Sequence, residues 1–107
     1  MTLEELGSAL AATGIPTTYY SWAEDDQNRP DLPFICYLVA YSNNFFADSK
    51  TYHRIDHVQI ELYTAVKDPT TEETVEDVLY ELEIPWEKSE VYLDSENCFQ
   101  IVYEIEV

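Results

Sequence analysis

The sequence predicts an α+β fold of two layers, a mainly antiparallel sheet of about five strands with two helices on one face. The order of the segments is the first reason, since they read α-β-β-β-α-β-β and successive strand segments favour antiparallel meanders. Size is the second, because 107 residues with 46% hydrophobic side chains are enough for one core. Neither a repeat nor a linker interrupts the pattern, so residues 1–107 are predicted to form a single domain.

The first helix is predicted over residues 2–13. Thr2 followed by Glu5 is a capping box, in which each side chain accepts a hydrogen bond from the other residue's backbone N–H. Gly14 is a typical stop after such a helix. Leucines at helical spacing form the apolar face: Leu3, Leu6 and Leu10.

Three strands are predicted in the middle of the chain. β-branched and aromatic residues predict the first at 17–22, and an apolar run too short for a typical helix predicts the second at 34–41. Residues 50–64 are predicted as the third because they end in period-2 alternation. The polar segments 23–33 and 42–49 are predicted to be a loop and a turn.

The second helix is predicted from Asp68, a good N-cap, to Ile84, where Pro85 stops it. Pro69 fits its first position, and acidic residues fill its first turns, where the helix dipole favours negative charge. Those acids are Glu72, Glu73, Glu76 and Asp77. The predicted core stripe is Val75, Val78, Leu79 and Leu82.

The last two strands are predicted to form a hairpin from residues 86–93 and 98–107, joined by a turn at 94–97. Apolar and polar residues alternate along the final strand, as expected for a strand with one buried face. One face is expected to carry Phe99, Ile101, Tyr103, Ile105 and Val107. The other is expected to carry Gln100, Val102, Glu104 and Glu106.

Acidic residues dominate the charge, with 22 Asp and Glu against 5 Lys and Arg and a formal net charge of −17. The negative electrostatic potential of such a chain repels nucleic acid, whose binding depends on Lys and Arg displacing counterions. It also repels anionic membranes. The acidic charge is compatible with four roles, namely binding a cationic partner, binding a divalent cation, avoiding DNA and keeping the protein soluble. Cys36 and Cys98 lie in apolar strand-like runs, so reduced thiols in the core are expected. Neither a signal peptide nor a membrane span is expected.

Features that would support catalysis or metal binding are sparse. His53 and His57 lie in a strand-like run, where ~3.3 Å per residue sets them about 13 Å apart, too far for one metal ion. The sequence contains no Gly-x-Ser-x-Gly, His-Glu-x-x-His or Gly-rich phosphate loop, and the acidic segment 23–31 lacks the EF-hand pattern. No enzymatic activity, cofactor or metal is therefore expected, and a carboxylate pair is the one enzymatic alternative.

Aromatic residues point instead to a protein interface, with nine Tyr, four Phe and two Trp in the chain. Tyr and Trp are enriched at interfaces because they bury a large area at low entropic cost. Phe45 and Phe46 fall in a predicted turn, where an exposed apolar pair either folds back as a plug or inserts into a neighbour. The candidate interface residues are Tyr41, Phe45, Phe46 and Tyr52.

Two stretches resemble a known family. They are NNFFADSKTYHRIDHVQIELYTAVKDPTTEETVEDVL at 43–79 and EKSEVYLDSENCFQIVYEIEV at 87–107, and the likeness extends back to LEEL at 3–6. The chain is similar to proteins of the tail-terminator (tail-completion) group, encoded among the head–tail joining genes of tailed phages and prophages of Gram-positive bacteria. The resemblance implies an α+β structural protein of the virion, made in the host cytoplasm, with no enzymatic activity and no cofactor. It also implies a ring, typically a hexamer, that closes the tail tube and meets the tail tube protein and the head connector protein.

The acidity fits such a role, because carboxylates that line a channel would repel DNA phosphates and keep DNA from sticking. The candidate lining residues are Glu87, Glu90, Glu104 and Glu106, or the acids of the helices. An acidic DNA mimic, which inhibits a DNA-binding protein by copying the spacing of phosphates, is the alternative function.

Overall fold

The computed structural model describes residues 1–20, 30–42, 45–47, 50–53 and 55–107. For 45–47 and 50–53 it describes the backbone only, and for the other ranges it also describes the side chains. The described part contains two helices, α1 (Leu3–Ala11) and α2 (Pro69–Glu81). Its strands are β1 (Thr17–Tyr19), β2 (Phe34–Ser42), β3 (Phe45–Ala47), β4 (Lys50–His53), β5 (Asp56–Thr64), β6 (Glu87–Leu93) and β7 (Cys98–Glu106).

Five strands form one sheet in the order β1-β2-β5-β7-β6. β1 runs parallel to β2, whereas the other three neighbouring pairs are antiparallel. The short β1 ends at Tyr19 because Tyr20 has a φ of +74°, which an extended strand does not allow. Helix α2 connects β5 to β6, and β7 returns between those two strands. The predicted α+β fold with its mainly antiparallel sheet is therefore confirmed.

The core lies between the two helices and one face of the sheet. In β5 every second residue is buried, and the register sets Val58, Ile60 and Leu62 beside the apolar residues of β7. Because successive strand residues point to opposite faces, these strands bury one continuous apolar surface under the helices. The core cluster is Leu6, Leu10, Ile35, Val58, Ile60, Leu62, Val75, Leu79, Ile101, Tyr103 and Ile105.

Both helices begin at the predicted caps. The Thr2 hydroxyl accepts a hydrogen bond from the backbone N–H of Glu5 at 3.1 Å. The Asp68 carboxylate accepts one from Thr71 N–H at 3.2 Å, and its hydrogen bonds with Thr71 lower the pKa of Asp68. Each cap satisfies a backbone donor that a helix start leaves unpaired.

Helix α2 ends earlier than Pro85 predicts. Glu83 has a φ of +58°, and Ile84 N–H donates back to the Leu79 carbonyl at 2.9 Å. With Glu83 N–H bonded to the Tyr80 carbonyl, this is a Schellman motif, which satisfies the last carbonyls of the helix. The left-handed residue therefore stops the helix before the proline is reached.

The segments 42–49 and 50–64 also differ from the prediction of one turn and one strand. β2 and β5 stay paired as far as Ser42 and Asp56, and beyond them β3 pairs with β4 in a separate two-stranded hairpin. We call β3 and β4 together the arm. Among the described residues the arm makes no extensive contact with a helix or with the five-stranded sheet. The molecule measures 49 × 30 × 23 Å, so it is clearly elongated.

Gly7 of α1 lies against the ring of Tyr37 on β2. A Cβ at this position would come within 2.3 Å of Tyr37 Oη and 2.8 Å of Tyr37 Cζ. We expect Gly7→Ala to lower the free energy of unfolding by about 1–3 kcal/mol through overpacking, despite the higher helix propensity of alanine. Urea unfolding measures this change. In a Tyr37→Leu background, Gly7→Ala should become neutral or stabilising, and stabilisation by Gly7→Ala in the wild-type background would contradict the close packing.

Candidate functional site

The face of the sheet opposite the two helices is the candidate site, and we call it the open face. Its side chains alternate along β2, β5, β7 and β6 with those that face the helices, and the register aligns them in rows across the sheet. Phe34 and Cys36, at the β2 end of this face, are buried. The rows are Phe34, Tyr63, Gln100 and Val91; Cys36, Glu61, Val102 and Ser89; Leu38, Gln59, Glu104 and Glu87; and Tyr41, His57 and Glu106.

A bulge in β2 brings Tyr41 onto the open face. Val39 pairs with Val58, but the next paired residue, Tyr41, is opposite His57, so Ala40 is an extra residue. In a regular strand Tyr41 would share the helix-covered face with Val39. The bulge reverses this, and the Tyr41 ring stacks on the His57 ring with centroids 4.2 Å apart and planes at 13°. Tyr41 remains 61% exposed, so a partner can contact it.

A groove of about 640 Å³ lies on this face, at the end of the sheet where β2 ends and β5 begins. Its wall combines aromatic rings with carboxylates, and Glu87 is directly opposite Glu104. Like charges in opposed positions repel each other, so a cation would stabilise this pair. We call it the acidic groove, and its main lining residues are Tyr41, His57, Trp86, Glu87, Glu104 and Glu106.

His57 leaves an unmet hydrogen bond in the wall of the groove. Its Nδ1 lies 3.8 Å from Glu106 Oε1, while its Nε2 is buried and has no hydrogen-bond partner among the described residues. A buried polar atom without a partner costs roughly 1–3 kcal/mol.

Further along the open face, Glu61 forms a small polar cluster. Tyr63 Oη donates to Glu61 Oε1 at 3.1 Å, and Gln100 Nε2 donates to Tyr63 Oη at 2.9 Å. Burial raises the pKa of Glu61, and the hydrogen bond from Tyr63 partly opposes this. Burial likewise raises the pKa of Tyr63. The partners of this acid are a phenol and an amide rather than a second carboxylate, so it is not the carboxylate pair that the enzymatic alternative needs.

The structure does not bring the four candidate channel residues together. Glu87, Glu104 and Glu106 lie on the open face, and all three are exposed. Glu90 lies on the other face of β6, where its carboxylate accepts a hydrogen bond from Lys67. Positions 87 and 90 differ by an odd number along one strand, so they point to opposite faces.

The helix-covered face holds an ion-pair network that the sequence did not predict. Glu72 is only 2% exposed, and its carboxylate forms ion pairs with two lysines. Lys67 Nζ lies 2.8 Å from Glu72 Oε2, and Lys88 Nζ lies 2.7 Å from Glu72 Oε1. Burial by itself would raise the pKa of Glu72, but the hydrogen bonds from the two lysines outweigh it and lower the pKa. Glu76 Oε2 accepts a hydrogen bond from Tyr103 Oη at 2.8 Å and lies 2.8 Å from Lys88 Nζ. Both lysines therefore form ion pairs with carboxylates of the same chain.

Several predicted site residues fall outside the described side chains. The backbones of Phe45 and Phe46 lie in β3 and that of Tyr52 in β4, but their side chains, like that of His53, are not among those described. Most of the acidic segment 23–31 is also outside the described residues. In the described part of the chain, no group of three His, Cys, Asp or Glu residues could hold a metal ion.

The comparisons with known proteins leave the function open. No family model matches the chain, and no curated protein matches it significantly. Among the described residues, neither helix has the length and apolar character needed to cross a bilayer.

Proposed function

We propose that this protein is a ring-forming structural subunit of a phage or prophage tail, of the tail-terminator kind. In this role it closes the tail tube and contacts the tail tube protein on one side and the head connector protein on the other. It carries out no catalysis and needs no cofactor.

The arm is the observation that carries this proposal. It consists of one strand of three residues and one of four, and it has no extensive contact with the described helices or sheet. An isolated two-stranded hairpin is at best marginally stable in water. The arm is therefore expected to gain its stability by packing on another subunit.

One edge of the five-stranded sheet offers a different surface. β6 is an edge strand, and six of its seven residues are exposed. Unpaired strand edges readily accept another chain. Because the arm and the β6 edge are different surfaces, an interface between them is heterologous, and such interfaces close into rings when the rotation between subunits allows it.

Charge supports the same role. Glu87, Glu104 and Glu106 form an exposed acidic surface at one end of the open face. Exposed acids of α2, such as Glu73 and Asp77, add to this charge, and the acids that line the lumen of the ring repel DNA phosphates during transit. Ring assembly also has to overcome repulsion between copies that each carry −17.

Solution mass tests this proposal. Light scattering over a concentration series should show a closed oligomer near six chains that does not grow further. Raising the salt from ~0.01 M to ~1 M shortens the screening length from about 30 Å to about 3 Å, so association should strengthen with salt or Mg²⁺. A monomer at every concentration, and also in the presence of the tail tube protein from the same phage genome, would overturn the proposal.

The DNA mimic remains the second candidate, favoured by the exposed carboxylates of Glu87, Glu104 and Glu106. A mimic would stay monomeric or dimeric and would block a DNA-binding protein in competition with duplex DNA. The same light-scattering series separates the two functions, since a closed ring excludes a monomeric inhibitor.

A further inference from the structure

We propose that the acidic groove is the docking site for the arm of a second copy of this chain, held by the basic residues in and next to that arm. The inference rests on the proposed function, because it identifies the contact through which neighbouring subunits associate.

The first step is the distribution of positive charge along the chain. The chain contains only five Lys and Arg residues. Two of them, Lys67 and Lys88, form ion pairs with Glu72, Glu76 and Glu90. Two of the remaining three are Lys50 and Arg54. Residues 43–54, which include the arm, hold these two bases and one acid, so this segment is net positive in a chain of −17.

The second step is the character of the groove. Its volume of about 640 Å³ is lined by the carboxylates of Glu87, Glu104 and Glu106, and no lysine or arginine is among its described lining residues. Complementary potentials of this kind steer association and suppress wrong registers. The exposed Tyr41 ring adds an aromatic surface to the groove. An arm with bases and aromatic residues complements both the carboxylates of the groove and the Tyr41 ring.

The third step is position. Tyr41 and His57 lie next to the arm, where β2 ends and β5 begins. Trp86 and Glu87 lie at the start of the edge strand β6. The arm and the groove are therefore at the same end of the sheet, and the groove reaches across to its far edge. A second copy placed beside β6 can extend its arm along that end of the sheet into the groove. Repeating the same contact from copy to copy produces a heterologous chain of subunits, as a ring requires.

Charge reversal on each side of the contact tests the inference. We expect Glu104→Lys with Glu106→Lys, or Lys50→Glu with Arg54→Glu, to weaken the association constant at least about tenfold, because like charges then meet across the interface. A chain that carries all four substitutions should associate again to within a few-fold of wild type. Sedimentation velocity measures the oligomer, and the thermal unfolding midpoint of each variant shows whether it is folded.

Glu73→Lys with Asp77→Lys is the matched control. Both residues are exposed on α2, and the substitutions change the net charge by the same amount as the groove reversal. Lower net charge alone should strengthen association, so the control and the groove variant are expected to change in opposite directions.

The outcomes separate this inference from the proposed function. If wild type forms rings and the groove reversal strengthens them as the control does, the groove is not the docking site and the ring function stands. If the groove reversal leaves the rings intact but abolishes binding of the tail tube protein, that protein is the occupant and the assignment of the arm is wrong. If wild type is monomeric both alone and with the tail tube protein, both proposals fail.

Discussion

Replacing Glu72 with alanine is expected to lower the free energy of unfolding by about 2–3 kcal/mol. The carboxylate is buried and bonded to two lysines, so its removal leaves both ammonium groups without their shared partner. Lys67 and Lys88 are 47% and 36% exposed, and they can turn towards water or towards Glu90 and Glu76. That freedom keeps the loss below the ~3–5 kcal/mol of a fully buried ion pair.

Glu73→Ala is the matched control for this change. It removes the same charge from the next residue of α2, but Glu73 is exposed, so a change within about 0.5 kcal/mol is expected. Urea unfolding of both variants at neutral pH measures the difference. Equal effects for the two variants would show that Glu72 acts only through net charge.

The contribution of Glu72 should also depend on pH. Its pKa is lower in the folded protein than the ordinary value of 4.5, so the unfolded chain takes up a proton first as the pH falls. The stabilisation is therefore complete above about pH 4.5 and is lost as the pH falls through the lower folded pKa. The difference in stability between wild type and Glu72→Ala should shrink over that range, and a difference that stays constant to pH 2 would contradict the ion pairs.

Tyr103→Ala is the second large effect, with an expected loss of about 3–5 kcal/mol. Tyr103 is fully buried in the core cluster, so alanine would leave a cavity between β7 and α2. Its hydroxyl also donates to the Glu76 carboxylate at 2.8 Å, and burial raises the pKa of that hydroxyl. Thermal and urea unfolding measure the loss.

Tyr103→Phe separates packing from hydrogen bonding. It keeps the ring and removes only the hydroxyl, so an expected loss of about 0.5–1.5 kcal/mol reports the hydrogen bond. If phenylalanine cost as much as alanine, the ring would contribute little and the packing account would be wrong.

Both predictions bear on the candidate site because the network holds β6 in place. Lys88 and Glu90 of β6 are bonded to Glu72, Glu76 and Lys67 on the helix-covered face. The same strand presents Glu87 on the open face, next to Trp86 in the wall of the acidic groove. Loss of Glu72 is therefore expected to loosen the edge strand and to weaken the proposed association between copies, in addition to lowering stability.

The sequence by itself determined the helix starts and the faces of the central strands. The cap at Thr2 and the cap at Asp68 are set by residues three positions apart, and the alternation in β5 and β7 needs no knowledge of the partner strand. These signals are local, because a helix cap or a period-2 pattern depends only on neighbouring residues. They were sufficient for the fold class and for most of the core.

Only the tertiary structure decided which acids and aromatics form the site. The bulge at Ala40 moves Tyr41 to the open face, and the pairing of β6 sends Glu90 to the lysines while Glu87 stays in the groove. The burial of Glu72 depends on Lys67 and Lys88, which lie on different segments of the chain. Strand register and side-chain contacts between distant segments are set by how the whole core packs, so no local pattern in the sequence encodes them.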